Sequence, residues 1–86
     1  MDLISLKYFY EVSQDLHITN AAKRLYISQQ RLSGHIQRLE AAYGVKLIER
    51  DPKPHLTAAG RYLASYAEQM LNMERDLHVT VKPNSV

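Results

Sequence analysis

Cysteine is absent from the chain, which excludes disulfide cross-links and thiolate chemistry and fits a reducing compartment. No apolar run approaches the ~18 residues of a membrane span. The chain does not open with a basic stretch followed by an apolar one, so no signal peptide is expected either. Glycine occurs three times and never in a phosphate-cradling loop. His17, His35, His55 and His78 lack metal-ligand spacing, so no metal and no other cofactor is expected. Ser13, Ser28, Ser33 and Ser65 occur with histidines and acids, but nothing in the spacing assembles a nucleophile, a base and an orienting group. With 86 residues there is room for one small domain and none for a catalytic cleft. The expectation is a soluble, cytoplasmic protein that is not an enzyme.

What is present is a folded chain with its charge unevenly placed. Hydrophobic residues make up 45%, and they recur with clear helical periods, which excludes a disordered chain. The net charge of +2 hides an asymmetry. Between Lys23 and Arg61 stand eight basic residues against three acidic ones, a balance of +5. The rest has three basic against six acidic, −3. A basic middle is the electrostatic footprint expected for a phosphate backbone.

Leu3, Leu6, Phe9 and Val12 recur every three residues, so a helix capped by Asp2 is expected to run to about Asp15. A second, short helix is expected with Thr19 as its cap and Ala21, Ala22 and Leu25 facing inward. The two alanines permit close approach of another helix. Tyr26-Ile27 leaves room only for a turn, and Ser28 caps a third helix. At about 100° per residue, Leu32, Ile36, Leu39 and Tyr43 share its buried sector. His35 lies beside that sector and is expected to pack. Opposite lie Gln30, Gly34, Gln37 and Ala41, flanked by Arg31, Ser33 and Arg38, and Gly44 ends the helix. Two helices joined by so short a turn, the second with an amide-rich and basic outer face, have helix-turn-helix geometry.

Val45–Arg50 is expected as a strand, Asp51–Pro54 as a turn, and His55-Leu56 as a returning strand. Together they form a small wing with Lys53 at its tip. Thr57 should cap a long helix from about Ala58 to His78, whose N-terminus also suits a phosphate. Tyr62, Leu63, Tyr66, Ala67, Met70, Leu71 and Leu77 give that helix an apolar stripe longer than the preceding residues can cover. A dimer seam through Tyr62, Leu63, Tyr66, Met70, Leu71 and Leu77 is the expectation. The β-branched run Val79-Thr80-Val81 and then Pro83 are expected to stop the helix.

The segments AAKRLYISQ, LSGHIQRLE, GVKLIER and LTAAG, four blocks in register within a match covering roughly Leu3 to Leu71, resemble the N-terminal winged helix-turn-helix of LysR-type transcriptional regulators. The resemblance implies a mainly α fold: a winged helix-turn-helix over 1–57, a linker and dimerisation helix over 58–78, and a hinge over 79–86. It implies a homodimer on a pseudo-palindromic double-stranded DNA site, no membrane partner, and a tetramer for the full-length protein. A small-molecule effector would bind a C-terminal domain that these residues do not contain, so a DNA-binding fragment is implied, with a standalone short protein as the other possibility. By position, the DNA contacts fall on Thr19, Ser28, Gln29, Gln30, Arg31, Ser33, Gly34 and Arg38, with Arg50 and Lys53 on the wing. The outer-face Gln37 and the capping Thr57 join them from the reading of the residues.

Two departures from the family pattern bear on function. Gln30 stands where the family commonly has proline, which restores a side chain able to read adenine. Gly34 stands where it commonly has arginine. A mid-helix glycine costs about 0.5–1 kcal/mol relative to alanine. Either the backbone approaches DNA more closely there, or Arg31 and Arg38 take over the contact. Ile18 and Ile48 replace phenylalanines and carry no functional message. The competing reading is a winged helix used only for protein–protein contact, and the basic middle of the chain argues against it.

Overall fold

A computed structural model describes residues 1–81. The first helix, α1 (Leu3–Asp15), starts where the Ser5 N–H donates to Asp2 Oδ1 at 2.9 Å. That bond holds the Asp2 carboxyl below the usual carboxylate range. Leu6, Phe9 and Val12 are buried, as their three-residue spacing requires. Leu16, in the left-handed region at φ 57°, ends the helix.

The second helix, α2 (Ile18–Leu25), is capped by His17, not by Thr19. Asp15 Oδ1 accepts the His17 N–H at 3.1 Å and holds that residue extended at the turn. His17 Nδ1 then accepts from Asn20 N–H at 3.4 Å, and Thr19 falls inside the first turn. Ala21 and Ala22 are buried against the neighbouring helices. Arg24 binds α2 to α1, donating to Glu11 Oε1 (2.8 Å), Asp15 Oδ2 (3.0 Å) and the Glu11 carbonyl (2.9 Å). Asp15, then Glu11, raise the guanidinium's pKa, and the Arg24 hydrogen bond lowers that of Asp15.

The third helix, α3 (Gln29–Tyr43), is capped by Ser28, whose Oγ accepts from Arg31 N–H at 3.0 Å, and it ends on Gly44 at φ 65°. Leu32, Ile36 and Leu39 are buried. Tyr43 was expected beside them but is 55% exposed. Beyond Leu39 the next core layer is supplied by Leu47, so Tyr43 lies over a shallow apolar groove with Met1, Val45, Tyr62 and Tyr66.

The wing is a two-stranded antiparallel sheet, β1 (Ile48–Glu49) and β2 (His55–Leu56), pairing Ile48 with Leu56 and Glu49 with His55. The strand expected over Val45–Arg50 shortens to two residues because other groups take its backbone bonds. Glu40 Oε2 accepts the N–H groups of Leu47 (2.8 Å) and Ile48 (3.3 Å). The Thr57 hydroxyl donates to the Lys46 carbonyl at 2.6 Å.

The last helix, α4 (Ala58–Val81), begins where Thr57 Oγ1 accepts from Gly60 N–H at 3.0 Å. Any Cβ at Gly60 would run into the Leu47 carbonyl, so the close approach of α4 to the wing demands glycine. The helix continues past His78 through Val79-Thr80-Val81, and Pro83, also expected to stop it, lies outside the described residues. β-Branching lowers helix propensity by only tenths of a kcal/mol per residue, too little to end a helix already propagating. The expected hinge over 79–86 thus begins inside α4, and its residues 82–86 lie outside the described residues.

Phe9, Val12, Ala21, Ala22, Leu32, Ile36, Leu39 and Leu47 form one core between the helices and the wing. Burying each large side chain contributes about 1.5–3 kcal/mol. Ala59, Leu63 and Ala64 of α4 pack against this core, and Ala67 is also buried. From Asn72 to Thr80 every residue is exposed, and the molecule's long axis is 53 Å against 25 and 21 Å across.

Candidate nucleic-acid interface

The rear of α3 is fixed by Leu32, Ile36 and Leu39, and this decides what its front presents. Gln29, Gln30, Arg31, Gln37 and Arg38 are exposed, while Ser33 and Gly34 are half-buried. Among the described residues no carboxylate pairs with Arg31 or Arg38. The one acid of α3, Glu40, is turned toward the wing, and its side chain is only 15% exposed. The outer face is therefore positive and rich in amide donors and acceptors.

The short α2 and the wing close on this face from one side. Thr19, Ser33, Gln37 and Arg50 line one cleft of about 300 Å³, together with His17, Glu40 and Lys46. The Thr19 hydroxyl donates to Gln29 Oε1 at 2.9 Å, so the two helices of the helix-turn-helix are joined directly at this surface. Ser28 and Gln30 sit at the N-terminal end of α3, where the helix dipole favours an anion. Arg50 and Lys53 are exposed on the wing, and the Asp51–Pro52 peptide between them is cis. Thr57 is not among the cleft residues. Its one hydroxyl proton goes to the Lys46 carbonyl, which leaves the first N–H groups of α4 as what this corner offers an anion.

His35 packs instead of pointing outward. Its ring meets Tyr8 edge-on, with centroids 4.7 Å apart and planes at 88°. Burial, and then the neighbouring Arg38 and Arg31, lower its pKa from the ordinary histidine value, with Asp2 opposing. Among the described residues no group of three or more histidine, cysteine or acidic side chains gathers as a metal site, and no helix is long and apolar enough to cross a membrane.

The residues expected at a dimer seam divide. Leu63 packs against the core, whereas Tyr62 is 80% exposed and lines the apolar groove with Tyr66. Met70 and Leu71 are half-buried, and Leu77 is 59% exposed. Two residues escaped the reading of the sequence. In the sequence Glu40 stands out only as one acid among basic residues, whereas its carboxylate holds the backbone leading into the wing. Lys46 lines the cleft, with Nζ 3.9 Å from Glu40 Oε1. The signal available for both was the short distance from the end of α3 to the wing, which brings any acid there near free N–H groups.

Comparison with known proteins agrees with this geometry. The family model described as "Bacterial regulatory helix-turn-helix protein, lysR family" matches residues 3–61. The HTH-type transcriptional regulator YnfL of Escherichia coli (strain K12) is 42% identical over 77 residues, covering 88% of this chain and 26% of YnfL. BenM of Acinetobacter baylyi, also a transcriptional regulator, is 36% identical over 88 aligned residues, covering 100% of this chain and 29% of BenM. The chain thus spans less than a third of these regulators' length. A crystal structure of the BenM DNA-binding domain with catB site 1 DNA superposes with a TM-score of 0.89 at 34% identity, covering 95% of this chain and 89% of that one. The DNA-binding domain of CbnR in its DNA complex gives a TM-score of 0.79 at 38% identity, covering 88% of each chain. The relatives are regulators and not enzymes. The chain belongs to the lysR family of bacterial regulatory helix-turn-helix proteins, and it folds as the winged helix-turn-helix DNA-binding domain of that family.

Proposed function

We propose that the chain binds double-stranded DNA sequence-specifically, as the DNA-reading part of a transcriptional regulator, with α3 in the major groove and the wing on the flanking backbone or minor groove. The observation that carries this is the outer face of α3, where exposed glutamines stand beside two arginines without acidic partners. Thr19, Ser28, Gln29, Gln30, Arg31, Ser33, Gly34, Gln37 and Arg38 are the contacts on this reading. Arg50 and Lys53 act from the wing, and Thr57 acts through the start of α4. Similar domains of BenM and CbnR were crystallised on DNA, which supports the same role here.

The protein acts as a homodimer in the cytoplasm. The half of α4 that leaves the core exposes Met73 and Leu77, one turn apart on the same face, an apolar stripe that a second copy covers. The apolar groove of about 410 Å³ that includes Tyr62 and Tyr66 extends the same surface. A dimer requires a pseudo-palindromic site. In the full-length protein, a separate domain senses a small molecule and dimers pair into tetramers.

Hydroxyl-radical footprinting on a duplex selected from a random pool tests the arrangement. Two protected patches are expected about one helical turn apart and symmetric about a dyad. A single patch contradicts the dimer, and no protection contradicts DNA binding.

A further inference from the structure

Of the three glycines, two are required by the backbone and one is not. Gly44 adopts φ +65°, and Gly60 lies against the Leu47 carbonyl. Gly34 has neither reason: its φ lies outside the left-handed region, and no backbone or core atom crowds the position. A Cβ there would meet one thing, Nη1 of Arg38, at 3.3 Å. Helical side chains lean toward the N-terminus, so Arg38 naturally covers the turn that contains residue 34. The glycine leaves a notch, and the guanidinium lies in it.

The charge is also free to act. Arg24 gives three hydrogen bonds to α1, whereas Arg38 is exposed and pairs with no carboxylate among the described residues. The notch lies between Gln30 and Gln37 on the outer face of α3, opposite the buried Leu32, Ile36 and Leu39. A guanidinium held over the middle of that face stands where base edges lie, while residues on its flanks meet phosphates. A planar fork of donors matches the O6 and N7 acceptors of guanine.

Building on the DNA-binding reading, we propose that Gly34 and Arg38 form one base-reading unit. The missing side chain at 34 lets the Arg38 guanidinium fold across the recognition face, and the guanidinium reads a guanine in each half-site. Arg38 is the specificity-determining group, and Gly34 is a positioning residue that acts through it.

The test begins with duplexes selected by the wild-type chain from a random pool. Each half-site is expected to hold a guanine whose replacement weakens binding about tenfold or more. Arg38→Lys, which keeps the charge and loses the fork, is expected to cut that preference below about threefold. Its affinity for an unrelated duplex at low salt should stay within about twofold of wild type. Gly34→Ala should raise the melting temperature, since alanine favours a helix, while relaxing the guanine preference about twofold to threefold. In an Arg38→Ala background, Gly34→Ala should leave base preference unchanged.

A guanine preference that survives Arg38→Lys overturns the assignment of Arg38. A Gly34→Ala loss of equal size with and without Arg38 overturns the coupling and makes Gly34 a point of close DNA approach. If selection returns no preferred sequence, sequence-specific binding itself fails, and this inference fails with it.

Discussion

The outer face of α3 and the far half of α4 are both turned to solvent, and they are made of different things. On α3 the exposed residues are glutamines and arginines, and the helix's one acid is directed away to the wing. On the far half of α4 the exposed Met73, Leu77 and Val79 stand among Glu74, Arg75 and Asp76. The first surface attracts phosphate and offers hydrogen bonds to base edges. The second has no excess of positive charge and offers apolar area. In so small a domain the core cannot cover every helix face, and the chemistry of each uncovered face suits a different partner. One suits a nucleic acid, and the other a second copy of the chain.

The strongest way to break the comparison is to remove what holds the α3 face in place. Leu32 is fully buried beneath it, and Leu32→Ala should lower unfolding free energy by about 2–5 kcal/mol in a urea titration. On α4, Leu77→Asp should give a monomer by sedimentation at about 100 µM. It should also weaken binding to a two-half-site duplex about 10²-fold, because the second half-site no longer contributes. Its melting temperature should lose the concentration dependence expected of a dimer and fall to that of the lone chain. Arg31→Ala sharpens the α3 side: affinity should fall about tenfold on specific and unrelated duplexes alike, and the salt slope should flatten by about one for each half-site. Leu77→Asp leaving the oligomer intact, or Arg31→Ala changing it, would erase the distinction between the faces.

The smallest effect concerns pH. Burial, then Arg38 and Arg31, depress the pKa of His35 in the folded state. The unfolded chain therefore binds this proton more readily. The stability contribution is full above the ordinary histidine pKa, about 6.5, and declines as pH falls below it. His35→Phe should flatten the melting temperature between about pH 5 and 7 while keeping an aromatic ring against Tyr8.

Helix periods and caps made most of this fold legible in advance. Asp2, Ser28 and Thr57 each accept the backbone N–H expected of a capping side chain, and Gly44 takes the left-handed turn. What the sequence hid was decided by partners distant along the chain. Thr19 looked like a cap because its neighbour His17 has a less familiar acceptor, and its hydroxyl is bonded to Gln29 ten residues away. The strand at 45–50 shrank because Glu40 and Thr57 take its hydrogen bonds. Tyr43 kept the period of the buried sector beyond the point where the core ended. At the site, the sequence revealed which face of α3 is free. It did not reveal that Arg38 lies over Gly34, because rotamer and spacing become visible only in three dimensions.

The central claim is that the positive, amide-rich face of α3 is a DNA surface. The most direct test is the affinity of the wild-type chain for its selected duplex as salt rises from about 50 to 200 mM. A loss on the order of 10³-fold is predicted, with the selected duplex remaining tighter than a scrambled one at every salt concentration. An affinity that ignores salt, or that cannot tell the two duplexes apart, would contradict it.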